Sequence, residues 1–316
     1  MPTNASLNPN VRVLVLSYNG RQLLQECLDS YIDNDYDNFA ITVIDNGSTD
    51  DTRQFMEQYY PQIDLLHLLQ NRGYSGGFND GLKYAFLDKK ADYVLITNND
   101  VKADQKLISA LMHTAQKDVK NGFVTGKVLY YDHPNIFQTV GKAPDERKWN
   151  GEHIGQGEID NGQYDKEQER IFADDIYMLV SNQLYQSVGG YDETFQFQAE
   201  EFDWQARAQK MGFRVMYTPA AKLWHKDSMT IGKQSSFKAY FDARNPMLVI
   251  LKHKTADYFR RYFWHHFVIN VFRRSLVSIK KGRILHALKI WQGFLSGLIW
   301  GFKTGRFTMR HFVGAV

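Results

Sequence analysis

The stretch "DYVLITNND" (92–100) is apolar from Tyr93 to Ile96 and then surfaces on Asn98, Asn99 and Asp100, three side chains that can reach a ligand. A short run of consecutive apolar residues fits a strand covered on both faces. Asn and Asp are ordinary turn formers, so the trio either caps the next helix or leaves Asp100 to hold something positive. Working outward, "VRVLVL" (11–16), "ITVI" (41–44) and "DLLHLL" (64–69) have the same character. Between them, apolar residues recur at helical spacing: Leu23, Leu24, Cys27, Leu28 and Tyr31, then Phe55, Met56 and Tyr59, then Phe78, Leu82, Ala85 and Phe86. Strand, helix, strand, repeated three times, predicts an α/β fold with a parallel sheet and right-handed crossovers.

In open sheets of this kind ligands bind beyond the carboxyl ends of the strands. The four strand exits are "SYNG" (17–20), "DNGSTDDT" (45–52), "NRGYSGGFNDG" (71–81) and "NNDV" (98–101), all polar and two of them glycine-rich. Ser48 followed by Asp51 fits a capping box at the start of the second helix. Asp45, last in its strand, is placed to accept from a ring N–H of a pyrimidine base or from a ribose hydroxyl. Gly73, Gly76 and Gly77 let backbone approach a ligand while Arg72 supplies charge. The loop has neither the GxGxxG of a dinucleotide fold nor the GK[ST] of a P-loop, so neither chemistry is supported. Residues 131–170 are polar and rich in Gly, Asp, Glu and Gln, and read as a surface excursion or flexible arm. Hydrophobic order returns at "IYMLVSN" (176–182).

With 316 residues, 43% of them apolar and 23% charged, the chain can bury a full core. Its single cysteine, Cys27, excludes an internal disulfide and fits a reducing compartment. The N-terminal "MPTNASLNPN" lacks the basic start and apolar core of a signal peptide, which predicts a chain that stays in the cytoplasm. The formal net charge is +3, yet from Tyr258 onward there are 11 Lys and Arg and no Asp or Glu, leaving −8 on residues 1–257. An acidic body with an all-basic end suggests a globular domain tethered to an anionic surface. Residues 258–316 place basic and apolar side chains on separate helical faces. Their longest nearly uncharged run, 290–302, is 13 residues, short of the roughly 20 that span a bilayer. The expectation is a basic amphipathic helical region lying on the inner face of the cell membrane, with helices packed on the body or on another subunit as the alternative. No nucleic-acid recognition motif accompanies the basic residues.

"VLVLSYNG", "VIDNGSTDDT", "NRGYSGGFNDG", "LITNND", "GGYDETFQFQAEEFDW" and "PAAKLWHKDS", in this order and spacing, resemble family 2 glycosyltransferases, especially the rhamnosyltransferase-like branch that builds bacterial surface polysaccharides. The resemblance covers roughly residues 10–250. It implies a GT-A fold, Rossmann-like with a mostly parallel central sheet flanked by helices, and inversion at the anomeric carbon. The domain would run from 11 to 257 after a tail of ten residues, with a nucleotide-sugar half at about 11–130 and an acceptor half at about 171–257.

The family's metal-binding Asp-x-Asp reads Asn98-Asn99-Asp100 here, so Asp100 is the matching carboxylate and an amide replaces the first. His225 in "LWHKDS" matches the second protein ligand. A divalent cation there would bridge the phosphates of a sugar nucleotide and stabilise the leaving diphosphate. Oxygen ligands favour Mg²⁺ or Mn²⁺, and an imidazole tilts the choice to Mn²⁺. With one carboxylate missing, the cation should bind weakly alone and appreciably with nucleotide. Transfer to a hydroxyl needs a general base. The family pattern points to Glu201, with Glu200 and Asp203 as alternatives; acids in a helix's first turn also simply complement its dipole.

Residue matching assigns Tyr18, Asn19, Asp45, Arg72, Asn79, Asn98 and Asn99 to the nucleotide sugar, and Arg244, beside Asn245, to the diphosphate. For Arg244, a buried guanidinium satisfying loop carbonyls is an equal alternative. The implied partners are a dTDP- or UDP-linked sugar donor, with dTDP-rhamnose favoured, and a lipid-linked or growing glycan acceptor. Homo-oligomers are compatible with this reading. Its rival is a catalytically silent nucleotide-sugar-binding or scaffold subunit of a polysaccharide assembly complex.

Overall fold

The computed structural model describes residues 8–145, 149–226 and 235–307. Val11, Val13 and Val15 on one side of the first strand and Leu14 on the other are all buried, because successive strand residues face opposite ways and both faces are covered. In chain order the elements begin with β1 (Val11–Ser17), α1 (Arg21–Ile32), β2 (Phe39–Asp45), α2 (Thr52–Tyr59), β3 (Asp64–His67) and α3 (Gly73–Lys83), which ends in a π-helical turn. Next come β4 (Tyr93–Asn98), β5 (Val101–Ala103), α4 (Leu107–Ala115), β6 (Phe123–Tyr130), β7 (Phe137–Thr139), β8 (Lys142–Ala143), β9 (Glu152–His153) and β10 (Gln168–Arg170). Then follow β11 (Tyr177–Ser181), α5 (Asn182–Val188), α6 (Glu200–Lys210), β12 (Val215–His225), α7 (Ser236–His253), α8 (Ala256–His265), a π-helical segment to Arg273, α9 (Arg274–Lys280) and α10 (Ile284–Lys303).

The main sheet has the order β10-β12-β6-β11-β4-β1-β2-β3, with β5 added on β12 and β7 on β6. β3, β2, β1 and β4 are parallel, and β6 and β12 run the same way, so six of the ten strands share one direction. This is the expected parallel half, extended through the antiparallel β11. One face is covered by α1, α2 and α4 through Leu24, Cys27, Phe55 and Leu111, the other by α3, α5 and α6 through Phe78, Leu82, Leu184 and Trp204.

Four local expectations are corrected. Ser48 does not cap α2; Asp50 does that work, accepting from the Thr52 amide at 3.1 Å and its hydroxyl at 2.6 Å. Tyr60, not Tyr59, packs inward, with its hydroxyl on Asp29. β3 stops at His67, so Leu68 and Leu69 leave the sheet. Residues 131–170 are not a detached arm: they carry β7 to β10, and Phe137 and Val140 are fully buried against Leu129 and Tyr217.

The basic end folds onto the rest of the molecule. Gly293, Gly297 and Gly301 form one stripe on α10, and a Cβ on any of them would strike Tyr240 or Met247 of α7, or Phe307. Small residues are what allow that close approach of helix backbones. The helical unit thus begins at α7, ahead of the boundary at 257/258 that charge suggested. Residues 1–7 of the tail and 308–316 of the basic region lie outside the described residues.

Candidate active site

The parallel strands end along one edge, and their exit loops are tied to one another before any ligand is considered. Asn19 takes φ +49°, a left-handed conformation that Asn tolerates. Its Oδ1 accepts from the amides of Thr49 and Asp50, and its own amide donates to Ser48 Oγ at 3.0 Å. Asp45 is buried, accepting from the Ser48 amide at 2.9 Å and from His67 Nδ1 at 2.8 Å. Asn46, which the sequence did not single out, accepts from the Arg72 amide and donates to the Gly73 carbonyl. Asp45 and Asn19 therefore shape the rim with their own side chains.

Within that rim lies a cavity of about 300 Å³ whose wall includes Tyr18, Asn46, Tyr74, Asn98, Asn99 and Asp100, with His225 opposite. Asn99 is buried and donates to Ser17 Oγ at 3.1 Å. Asn98 Oδ1 accepts from the Tyr74 hydroxyl at 3.3 Å. Asp100, in the turn between β4 and β5, and His225, last in β12, are 125 residues apart in sequence and meet because β5, which begins just after Asp100, pairs with the end of β12 at His225. Asp100 Oδ1 faces His225 Nε2 at 3.2 Å. The other ring nitrogen, Nδ1, lies 2.8 Å from Gln138 Oε1. With the amide so oriented, Nδ1 carries the hydrogen and Nε2 turns a lone pair to a carboxylate. Two acceptors face to face suit a cation or a proton between them, and a second-side hydrogen bond of this kind fixes a metal-ligating imidazole.

The same cleft continues past Tyr74, Asn98 and His225 into a space of about 450 Å³ that reaches Asp175, Glu200 and Glu201. Carboxylate oxygens of these three lie within 4.8 Å of one another. Glu200 is 3% exposed and its Oε2 has no hydrogen-bond partner. Burial, followed by the charge of Asp175, pushes both glutamates well above the usual carboxylate range. The loop presenting them is strained: Gln196, Gln198 and Ala199 have φ between 59° and 72°. Asn245, fully buried on α7, holds it there by donating to the carbonyls of Phe195, Phe197 and Gln198 at 2.7–2.9 Å. Strained backbone persists only where its surroundings over-determine it.

Beyond Glu201 a third chamber of about 370 Å³ is walled by Lys142 and Trp149 from the 131–170 segment and by Phe241, Tyr262 and Arg274 from the C-terminal helices. The segment read as an arm and the end read as a tether both border the carboxylates.

Four candidates from the sequence sit elsewhere. Asp203 is fully buried on the far side of α6, bonded to Arg207 and His253 at 2.8 and 2.7 Å and to Lys252. Burial alone would raise its carboxyl; His253, Lys252 and Arg207 outweigh that and hold it well below the usual carboxylate range. Arg72 turns to Glu193 at 3.1 Å and Asp80 at 3.7 Å. Asn79 bonds both backbone groups of Tyr191. Arg244 donates to the Thr194 carbonyl at 2.8 Å and to Asn245, which is the structural alternative named for it. Sequence reading missed Tyr74, Gln138 and Asp175. A tyrosine inside a glycine-rich loop was a usable signal for the first; nothing local marked the others.

Comparisons with known proteins bear on the family and the fold. The family model described as "Glycosyl transferase family 2" matches residues 12–175, stopping short of α6 and His225. The N-acetylglucosaminyl-diphospho-decaprenol L-rhamnosyltransferase of Mycobacterium tuberculosis is 26% identical over 214 residues, 61% of this chain and 68% of that protein. The mannosyltransferase PcManGT of Pyrobaculum calidifontis, solved with GDP-Man and Mn²⁺, superposes with a TM-score of 0.55 at 15% identity over 98% of this chain and 84% of that one. TarS of S. aureus gives 0.54 at 17% identity over 82% of this chain, which spans only 43% of TarS. The fold is that of GT-A glycosyltransferases.

Proposed function

The chain belongs to glycosyl transferase family 2 and is a glycosyltransferase, and from that premise we propose that it is an inverting enzyme moving a sugar from a nucleoside diphosphate to a hydroxyl of a lipid-linked or growing surface glycan. The observation that carries the reading is the Asp100–His225 pair facing across the cleft, one short step along the same wall from Glu201. dTDP-rhamnose is the favoured donor, supported by the L-rhamnosyl transfer for which the mycobacterial relative is named. Glu201 accepts the acceptor hydroxyl's proton while that oxygen bonds to the anomeric carbon, and the bond from that carbon to the diphosphate oxygen breaks on the opposite face. Asp100 and His225 would hold a divalent cation, Mn²⁺ or Mg²⁺, which neutralises charge on the departing diphosphate. Tyr18, Asn98 and Asn99 line the donor end, with Asp45 and Asn19 shaping its rim.

None of the described helices is long and apolar enough to cross a membrane. The C-terminal helices bury one side on α7 and expose Trp264, Phe272, Ile279, Leu285, Leu288 and Ile299 on the other, among basic residues unrelieved by any acid after Asp257. Such a face suits peripheral attachment to an anionic membrane, each basic side chain near the surface adding about 1 kcal/mol. Truncation at 257 would strip α7 of its packing partner, so the fairer test is Leu285→Glu with Leu288→Glu, expected to abolish co-sedimentation with anionic vesicles while leaving the fold intact.

The donor reading is tested by thermal shift with sugar nucleotides, with and without Mn²⁺. Stabilisation by dTDP-rhamnose that needs Mn²⁺, and weak Mn²⁺ uptake by calorimetry without nucleotide, are expected. Donor binding with no nucleoside diphosphate released in the presence of any acceptor glycan would favour the silent-subunit rival.

A further inference from the structure

We propose that Asp175 is a positioning residue for the base: held as an anion by Tyr191, it keeps the Glu201 carboxylate basic enough to take a proton near neutral pH. The inference rests on the reading of Glu201 as the base.

Asp175 precedes β11, and two tyrosines fix it. The Tyr191 hydroxyl donates to its carboxylate at 2.7 Å, and the Tyr74 hydroxyl donates to its carbonyl at 3.2 Å. Tyr191 is wedged against Trp204, with ring centres 4.5 Å apart, and against Phe78, so the carboxylate cannot swing out of the cluster. Of the three clustered carboxyls, Asp175 alone receives a side-chain hydrogen bond. A carboxylate that accepts such a bond keeps its charge more readily than one that does not. Protons entering the cluster therefore go to Glu200, buried and unpartnered, and to Glu201.

The surrounding cations are matched to other groups. Lys142 lies against His153 at 2.9 Å and Asp174 at 3.4 Å. Lys238 pairs with Asp242 at 2.9 Å and Arg274 with the same carboxylate at 3.4 Å, while the His225 ring faces Asp100. Lys252, His253 and Arg207 serve Asp203 on the other side of α6. Among the described residues no Lys, Arg or His forms an ion pair with Asp175, Glu200 or Glu201. Among the described residues the charge that Glu201 meets is thus negative, and Asp174 adds to it.

The direction of the titrations agrees. Burial and then the Asp175 charge raise Glu201. Burial raises Asp175 itself to about 6, with the Tyr191 hydrogen bond opposing, so it is largely ionised at pH 7. Removing a like charge within a few ångströms should lower the Glu201 pKa by about one to two units.

The test is a carboxyl ¹³C NMR titration of the full chain labelled at Glu, from pH 5 to 9, with Glu201→Gln and Glu200→Gln assigning the signals. In the wild type the Glu201 signal is expected to titrate well above the usual carboxylate range. In Asp175→Asn its midpoint should fall by about one to two units. Tyr191→Phe, which removes the donor and lets Asp175 take up a proton, should move it the same way by less, and serves if Asp175→Asn does not fold. A midpoint that stays put or rises in both variants overturns the proposal. In parallel, nucleoside diphosphate release from dTDP-rhamnose with Mn²⁺ is followed against pH, and the acid limb for Asp175→Asn should move down with the NMR midpoint. An NMR shift with an unmoved acid limb would remove Glu201 from the base role, overturning the reading beneath the proposal and not the contact itself.

Discussion

On one flank of α6, Asp203 is ringed by Arg207, Lys252 and His253; on the other, Glu200 and Glu201 meet Asp175 and, among the described residues, no ion-pairing cation. Asp203 and Glu200 are buried and Glu201 and Asp175 half-buried, and the two clusters draw on one run of four letters, Glu200-Glu201-Phe202-Asp203. A carboxylate given excess positive charge stays ionised and ties elements together, here α6 to the end of α7. Carboxylates denied it are costly to ionise, and proteins retain such groups chiefly where proton affinity is used. The side of the helix, not the residue type, decides which acid is paired with cations and which is left among other carboxyls.

The largest expected effect separates the two flanks by activity. Glu201→Gln should lower transfer by about 10²- to 10⁴-fold, the usual worth of a general base, while the protein melts no lower than the wild type and keeps its donor-induced thermal shift. Near wild-type turnover in a steady-state assay would break the comparison at its functional end.

Asp203→Asn should do the reverse. It leaves Arg207 without its buried counter-charge, and Lys252 with Asp192 alone; breaking such a pair typically costs about 3–5 kcal/mol. Denaturant unfolding should show that loss, while turnover per folded molecule stays within a few-fold of the wild type. A variant that is stable but inactive would move Asp203 to the catalytic flank.

Much of this was legible beforehand, for physical reasons. Strands buried on both faces print as apolar runs, so the order of β1, β2, β3 and β4 and the polarity of their exits could be read directly. Asp100 and His225 could be put forward as a pair because each lies in a recognisable motif. What could not be read was pairing across the chain. The contact of β5 with β12 that brings those two residues together, the Asn245 clamp on the 195–199 loop, and Asp175 facing Glu201 all join segments far apart in sequence, and single residues in polar stretches carry no periodicity to announce them. Arg72, Asn79 and Arg244 are engaged by protein groups for the complementary reason: a polar side chain beside a site is as readily used to hold a loop carbonyl or an acid as to hold a ligand. Residues 131–170 looked unstructured because their short strands are stabilised by long-range burial of Phe137 and Val140, not by local propensity.

The smallest expected effect is a difference in how stability answers to pH, and it tests both flanks in one experiment. Asp203 has a depressed folded-state pKa, so its contribution is complete above the unfolded carboxyl value of about 4 and is lost only as pH falls through the folded one. Glu200 and Glu201 have raised folded-state values; above about pH 4.5 the folded chain holds protons that the unfolded chain has released. Stability then declines with rising pH by up to about 1.4 kcal/mol per unit for each proton so held, until the folded values are passed. Glu200→Gln keeps the shape, removes one such proton, and offers its amide to the neighbouring carboxylates. Relative to the wild type it should gain stability steadily between pH 5 and 8, whereas the deficit of Asp203→Asn should be flat over that range and shrink only below pH 4. Parallel stability curves for wild type and Glu200→Gln from pH 5 to 8 would mean that the cluster is ionised and solvated like any surface acid, and the contrast between the two flanks of α6 would vanish.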